Sequence, residues 1–584
     1  MKSKRAALPV LIALVAPLFG CSNNGASGPS TVPVVEPAAL PTFVESAAAA
    51  GFTIKQGKRV TEGQCMYNAT KIFEKFPDLV QPKVNQVANQ ECEPEELTGG
   101  AAAVDLTGDG LDDIVMTRMY ASPVLYVNES TIGKPSFRDA TAGSGLDILA
   151  ENTNGVGFAD VDKDGDTDLI MTTTSGRQSY LLINDGSGRF VDEADARGIA
   201  GRDGRPHSGQ GVALGDFDND GWVDVHLNEW QLATVTRFGV PSHARLFRNL
   251  GAEGKPGHFE DVTDAAGVAI DSRFDAVYSW SSTLTDFDGD GFPDLSIIAD
   301  YNTSRFFWNN GDGTFTDGTP TMVPTKLGRE ENGMGLAVGF YGPEQRLGMF
   351  ITSIMSSEGC DPYVRTGNRF YLYDKDRRFT DETDAAGVRS GGWGWGTTVL
   401  DPTNAAKRDL VSAAGIFIPR EPCHHDDPMF YWVDDGAGAY SERAAEVGIE
   451  NNLPSKGVLV FDADNDGRQD LFVTRDTETP LFFHNVTDAV GSWLKVKVKG
   501  SASNTDAFGA IVTMWTTLES RPQKFLVGGG SRMFTQDSPV LHAGLGAFAG
   551  PLAKLTVEFP STKRTVELTD VALNATITVE EPAR

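Results

Sequence analysis

Residues 160–168 read DVDKDGDTD, five carboxylates in nine positions. Near-copies stand at 105–113 (DLTGDGLDD), 216–224 (DFDNDGWVD), 286–294 (DFDGDGFPD) and 462–470 (DADNDGRQD). Like charges this close repel, so a stretch used five times calls for a counter-charge. In D-x-D-x-D-G-x-x-D the side chains at positions 1, 3, 5 and 9 converge on one point if the backbone wraps tightly. Gly at position 6 permits that turn, and position 7 offers only its carbonyl. The expected ligands are Asp105, Thr107, Asp109 and Asp113; Asp160, Asp162, Asp164 and Asp168; Asp216, Asp218, Asp220 and Asp224; Asp286, Asp288, Asp290 and Asp294; and Asp462, Asp464, Asp466 and Asp470. Leu111, Asp166, Trp222, Phe292 and Arg468 would add their carbonyls, which explains why position 7 tolerates any side chain. All-oxygen, carboxylate-rich coordination is what Ca2+ prefers, whereas zinc and copper want nitrogen or sulfur, so about five calcium sites are expected. Thr107 replaces Asp at position 3, which makes the first site the weakest.

An EF-hand requires Glu at position 12, where this chain has Met116, Met171, Leu227, Ile297 and Val473. Five apolar residues there predict a buried strand, so the cage belongs to a β-hairpin and not to a helix pair. A second motif, an aromatic residue followed by an acid and then small residues up to Gly, begins at Phe43, Phe137, Phe190, Phe259, Phe315, Phe379 and Tyr440. Each copy precedes an acidic nonapeptide or a remnant of one: the segment around Phe340 keeps only apolar alternation, and the next keeps only Asp401 and Asp409. Turns such as NDGSGRF from Asn184 and NNGDGTF from Asn309 predict a further hairpin. Seven repeats of roughly 50–70 residues, each a set of twisted strands, predict an all-β, seven-bladed β-propeller.

On these motifs residues 41–488 resemble the FG-GAP/VCBS propellers of integrin α-subunits and exported bacterial proteins. The resemblance implies structural calcium sites that hold blades together without acting on a substrate. Downstream, NTDAFGAIVTMW from Asn504, GGGSRMFTQD from Gly528, HAGLG from His542 and LTVEFPS from Leu555 resemble the ASPIC/UnbV domain, placed at 489–584. That domain follows such propellers in bacteria and in the cartilage acidic protein family. Ala543 and Thr562 depart from its pattern.

Lys+Arg 50 against Asp+Glu 80 gives a net charge of -30, which argues against nucleic acid and anionic membrane surfaces as partners and favours cations. At the N-terminus Lys2, Lys4 and Arg5 precede an apolar run that ends at Cys21, as in an export signal over 1–20. Leu18–Cys21 resembles a bacterial lipobox, which implies lipidation of Cys21, an outer-membrane or cell-surface location, and a Ser/Gly/Pro tether over 21–40. Four further cysteines suit an oxidising compartment. Cys65 and Cys92 share one insertion, while Cys360 and Cys423 follow equivalent strands of adjacent repeats, so the expected pairs are Cys65–Cys92 and Cys360–Cys423.

Strand-entry positions place His207, Trp280, Asn332, Trp393, Trp395 and Lys456 near the propeller axis, where they could line a ligand pocket or pack between blades. His424 and His425, in a Cys-His-His-Asp-Asp run, lack the spacing of a zinc site. No G-x-S-x-G or phosphate-cradling loop is present. Three functions stay open. The favoured one is an envelope-tethered, calcium-stabilised binding or adhesion module, presenting loops such as Asn228–Arg245 to a protein or glycan. The others are a cyclase- or hydrolase-type enzyme working in the axial pocket and a purely structural envelope protein.

Overall fold

The computed structural model describes residues 40–57, 99–149, 152–174, 176–202, 207–230, 244–270, 278–322, 332–355, 365–416, 422–488 and 490–583. The export segment, the tether, Cys65, Cys92, Cys360 and most of the Asn228–Arg245 loop lie outside the described residues, and with them both expected disulfides.

Each repeat forms one antiparallel four-stranded sheet. Repeat two shows the pattern with strands Thr153–Ala159, Asp168–Thr173, Ser179–Asn184 and Phe190–Asp192 in sequential order. Its innermost strand is buried along its whole length, and its outermost, Phe-Val-Asp, buries only the aromatic ring. Six sheets follow this order; the seventh takes Ser455–Phe461, Asp470–Arg475 and Leu481–Asn485 and borrows Phe43–Glu45 as its outer strand. The first aromatic motif of the chain therefore completes the last sheet, and the ring closes through hydrogen bonds between segments more than four hundred residues apart, Phe43 pairing with Asn485.

Why the aromatic motif ends in small residues and Gly is now physical. After the outer strand comes one helical turn, for example Ala194–Arg197, ended by Gly198 at φ 86°. A Cβ on Gly198 would lie 2.6 Å from the carbonyl oxygen of Phe259 in the next sheet's outer strand. Close to the axis the sheets press together as tightly: a Cβ on Gly155 would meet the Gln210 carbonyl oxygen at 2.0 Å. Met116, Met171, Leu227, Ile297 and Val473, the position-12 residues, are all fully buried.

Residues 490–583 form a four-stranded sheet (Gln523–Leu526, Ile511–Trp515, Lys554–Phe559, Arg564–Leu568) and a three-stranded one (Leu541–Gly544, Trp493–Lys499, Thr576–Glu580). Their core runs without a break into that of repeats two and three, joining Val496, Val512 and Val557 to Val161, Val223 and Leu214.

Candidate metal centres and a filled axis

The acidic loop joins the two inner strands of its sheet, and its aspartates divide the labour. In repeat three the position-1 carboxylate of Asp216 accepts the Gly221 N–H at 3.0 Å, and that of Asp220 accepts the Trp222 N–H at 2.9 Å. Position 9 does something the sequence reading missed. Asp224 Oδ2 accepts the Phe217 N–H at 3.0 Å and Oδ1 the Asn249 N–H at 2.8 Å. Asp113, Asp168, Asp294 and Asp470 make the same pair of bonds, to the position-2 N–H and to that of Asn128, Asn184, Asn309 and Asn485. Position 9 thus ties the loop to the third strand as well as facing the centre.

Oxygen atoms from positions 1, 3 and 9 gather within 4.8 Å of one another in Asp160/Asp162/Asp168, Asp216/Asp218/Asp224 and Asp462/Asp464/Asp470, and from positions 1, 3 and 5 in Asp286/Asp288/Asp290. Asp105 and Asp109 lie in the loop where Thr107 interrupts the acids; Thr107 Oγ1 is buried there without a hydrogen-bond partner. So are Asp160 Oδ1, Asp162 Oδ1, Asp216 Oδ1, Asp220 Oδ2 and Asp464 Oδ2. Buried oxygens left without donors are costly, and a hard dication among them supplies the missing partner. Burial, with neighbouring carboxylates adding to it, pushes Asp168, Asp216 and Asp294 up to about 8 and Asp160, Asp220 and Asp286 up to about 6. The position-7 backbone N–H groups donate to the position-5 carboxylate, as Leu111 does to Asp109, Asp166 to Asp164, Phe292 to Asp290 and Arg468 to Asp466.

The Asn that opens each NDGSGRF-like turn is a second device. Asn184 Nδ2 donates to Thr167 O in its own loop and to Leu106 O in the loop of the preceding repeat, at 3.0 and 3.3 Å. Asn249 reaches back to Val161 O, Asn309 to Phe217 O and Asn485 to Pro402 O. Asn128 closes the circle on Ala463 O at 2.9 Å. Its periodic occurrence was visible in the sequence; its reach into the neighbouring repeat was not.

The C-terminal domain covers this acidic face. Lys495 Nζ donates to Asp462 at 2.7 Å, Lys163 Nζ to Ser503 O at 3.1 Å, and Asp506 accepts the Asp160 N–H at 3.0 Å. Between the two parts lies a cavity of about 470 Å³ whose lining includes Asp112, Asp401, Arg408, Lys495, Arg532 and Asp537.

From the same domain, the GGGSRMFTQD segment runs into the axis of the ring. Thr535–Gln536 adds a parallel strand to Ala101–Ala102 of repeat one, and Gly529 bridges to Leu214 of repeat three. Ser531 N donates to Ser282 O, Gln536 Oε1 accepts Phe158 N, and Asp537 accepts both Val460 N and the Thr398 hydroxyl. Met533 and Phe534 lie fully buried in one cluster with Trp230, Trp280, Trp393 and Trp395. Of the two readings left open for the axial aromatics, Trp280 and Trp395 are packed: each is 1% exposed, the Phe534 ring stands edge-on to Trp280 at 6.1 Å, and the chain's own segment lies against them.

The other axial residues group at the end of the ring away from the acidic loops. Lys456 Nζ lies 3.7 Å over the Trp395 ring, and Asn332 Oδ1 accepts the Tyr301 N–H at 3.3 Å. His207 Nδ1 sits 2.6 Å from Glu229 Oε1, both side chains fully buried. His424 Nδ1 sits 2.7 Å from Asp427 Oδ2 with its ring against Trp393, and His425 is half-buried beside it.

The FG-GAP-like repeat family matches residues 105–171, 160–227 and 286–339, and the ASPIC and UnbV family matches residues 500–584. Cartilage acidic protein 1 of Xenopus tropicalis is 27% identical over 200 residues, 34% of this chain and 28% of that protein. The Homo sapiens protein is 28% identical over 167 residues, 28% of this chain and 23% of that protein. The chain thus spans about a quarter of the length of these curated relatives. Two solved structures are similar at low scores. An Agrocybe aegerita lectin structure on recognition of non-reducing terminal N-acetylglucosamine has a TM-score of 0.36 at 17% identity, over 59% of this chain and 79% of that one. BBS1N in complex with ARL6DN has 0.35 at 8%, over 68% and 94%. By its sheets and its sequence matches, the chain is a β-propeller of FG-GAP-like repeats followed by an ASPIC and UnbV domain.

Proposed function

We propose that the protein is an exported, calcium-stabilised binding module, tethered to the cell envelope through Cys21, that presents one face of a rigid ring to a protein or glycan. The observation that carries this reading is the division of surfaces. The C-terminal domain lies against the acidic-loop face, and its 528–537 segment fills the axis, so the face left to a partner is the opposite one. There the inner strands end and the connection between Glu229 and Arg245 begins. Loops on a rigid scaffold commonly carry recognition. Five acidic loops, four of them with buried, partnerless oxygens, support Ca2+ as the ion, and expected affinities of about 10⁻⁴–10⁻³ M suit an extracytoplasmic setting. The disulfides Cys65–Cys92 and Cys360–Cys423 belong to the same reading. Full-length protein screened on glycan and protein arrays in Ca2+ and in EGTA tests it: calcium-dependent binding to a defined partner is expected, and a blank array in both conditions favours a structural role.

A second reading, an enzyme working at that same face, is favoured by the His207–Glu229 and His424–Asp427 pairs, since an imidazole held by a carboxylate is the usual form of a general base. Activity against envelope glycans or peptides that is lost in His207→Gln, with the melting temperature kept, is the outcome that would select it.

A further inference from the structure

The last acidic loop differs from the others in its unpartnered atoms. In repeats two and three the position-1 oxygens Asp160 Oδ1 and Asp216 Oδ1 are buried without partners. In repeat seven both oxygens of Asp462 are taken: Oδ1 accepts the Asp466 N–H at 3.1 Å, and Oδ2 accepts the Gly467 N–H and the Lys495 ammonium of the C-terminal domain. The unpartnered atoms here are Asp464 Oδ2 and His484 Nε2. They face each other at 3.5 Å, Asp464 with its side chain fully buried and His484 14% exposed.

His484 stands immediately before the stapling Asn485, where the other acid-loop repeats have Val127, Ile183, Arg248 and Trp308. In repeats two to four the position-3 carboxylate meets a guanidinium: Arg197 on Asp162 at 2.9 Å, Arg248 near Asp218 at 3.9 Å, Arg377 on Asp288 at 2.6 Å. In repeat seven the nearby arginine, Arg468, turns instead to Asp466. Asp464 is left to the imidazole, whose ring lies parallel to Phe482 with 6.3 Å between centroids, which fixes its orientation.

We propose that Asp464, Asp466 and His484 form a mixed imidazole–carboxylate site for a transition-metal dication of the zinc type. The proposal rests on the ion-binding reading of the acidic loops in sharing Asp464 and Asp466 with the expected calcium ligands of the same loop. All three side chains offer a ligand atom within 4.8 Å of the others, Asp466 on giving up a contact that it now makes with Arg468. A metal about 2.1 Å from both His484 Nε2 and Asp464 Oδ2 would subtend an angle of about 115° across their separation, close to tetrahedral. Calcium takes oxygen ligands, while an imidazole nitrogen selects zinc, copper, iron or nickel. Three protein ligands and a partly exposed His484 leave a fourth position for water.

The test is a titration of the full chain with Co2+, which reports tetrahedral coordination in its visible spectrum, and with Zn2+ by calorimetry, both after chelator treatment and before Ca2+ is returned. One equivalent of each is expected. His484→Ala and the bulkier His484→Gln should each weaken it at least about tenfold while calcium stoichiometry and melting temperature stay unchanged. His258→Ala, at a surface histidine of the same ring, should change nothing. No uptake of Co2+ or Zn2+ by the calcium-free chain, or equal affinity in the His484 variants, overturns the site. Calcium binding without zinc binding sinks this proposal alone; zinc binding lost with His484 but no calcium binding anywhere sinks the calcium reading alone.

Discussion

Five acidic loops and two turns without their aspartates occupy the same place in their sheets and are held by different means. Repeats two to four and seven gather carboxylates around a centre, and these and repeat one staple to the preceding repeat through an Asn. Repeat five has the turn Gly342–Gln345, and the C-terminal domain grips it: Gln345 Oε1 accepts Lys524 N at 3.0 Å, and Arg521 meets Glu344 at 2.9 Å. In repeat six Asp401 caps Ala405, Ala406 and Lys407 with its own oxygens, while Thr403 and Asn404 accept Gly491 N and Gly546 N from the C-terminal domain. Protein contacts hold these two turns, where the set of carboxylates is incomplete. The one aspartate kept in repeat six at position 9, Asp409, still accepts the N–H of the third strand, at 2.8 Å from Asp434. That survival identifies position 9 as a structural residue first and a candidate ligand second.

Calcium withdrawal is the strongest way to break the comparison. At about 2 mM free Ca2+ and affinities of about 10⁻⁴–10⁻³ M, each site stabilises by about 0.6–1.8 kcal/mol, roughly 3–9 kcal/mol over five, and EGTA should lower the melting temperature accordingly. The effect should grow with pH. Burial lifts Asp168, Asp216 and Asp294 from 3.8 in the unfolded chain to about 8 in the calcium-free fold. Their protonated forms contribute stability that is complete below pH ~4 and lost as pH rises through ~8, while Ca2+ must displace the same protons to bind. Melts at pH 6 and pH 8 should therefore show a wider gap between Ca2+ and EGTA at pH 8; an equal gap contradicts the charge argument.

Next in size are the position-9 variants. Asp409→Ala leaves the donors of Asp434 N and the Tyr431 hydroxyl without partners, at a cost of about 2–4 kcal/mol that denaturant titration should find equal with and without Ca2+. Asp224→Ala strips Phe217 N and Asn249 N at a similar cost in EGTA, and should cost more in Ca2+ because it also damages a centre. Identical calcium dependence in the two variants would remove the distinction between the loops. Asn249→Ala loses one bond to repeat two and one within repeat three, and about 1–3 kcal/mol is expected by the same measurement. Arg521→Ala is the smallest: both partners of its ion pair are more than two-thirds exposed, so the melting temperature should barely move.

The sequence by itself determined the repeats, the all-β fold and the acidic centres, because each rests on local spacing. Period-two strands, a glycine that allows a tight turn and carboxylates at fixed offsets act within nine residues of one another, as Asp160–Asp168 shows. Only the tertiary structure decided how the ring closes, what fills it and what Asn and position 9 are for. Phe43 pairs with Asn485, Asn128 bonds Ala463 O, and Phe534 lies among Trp280 and Trp395, contacts whose partners are hundreds of residues apart. Nothing in the composition around Trp280 or Trp395 distinguishes a ring that binds a ligand from one packed by its own chain. Burial is set by what arrives from elsewhere in the fold, and local pattern carries no record of it.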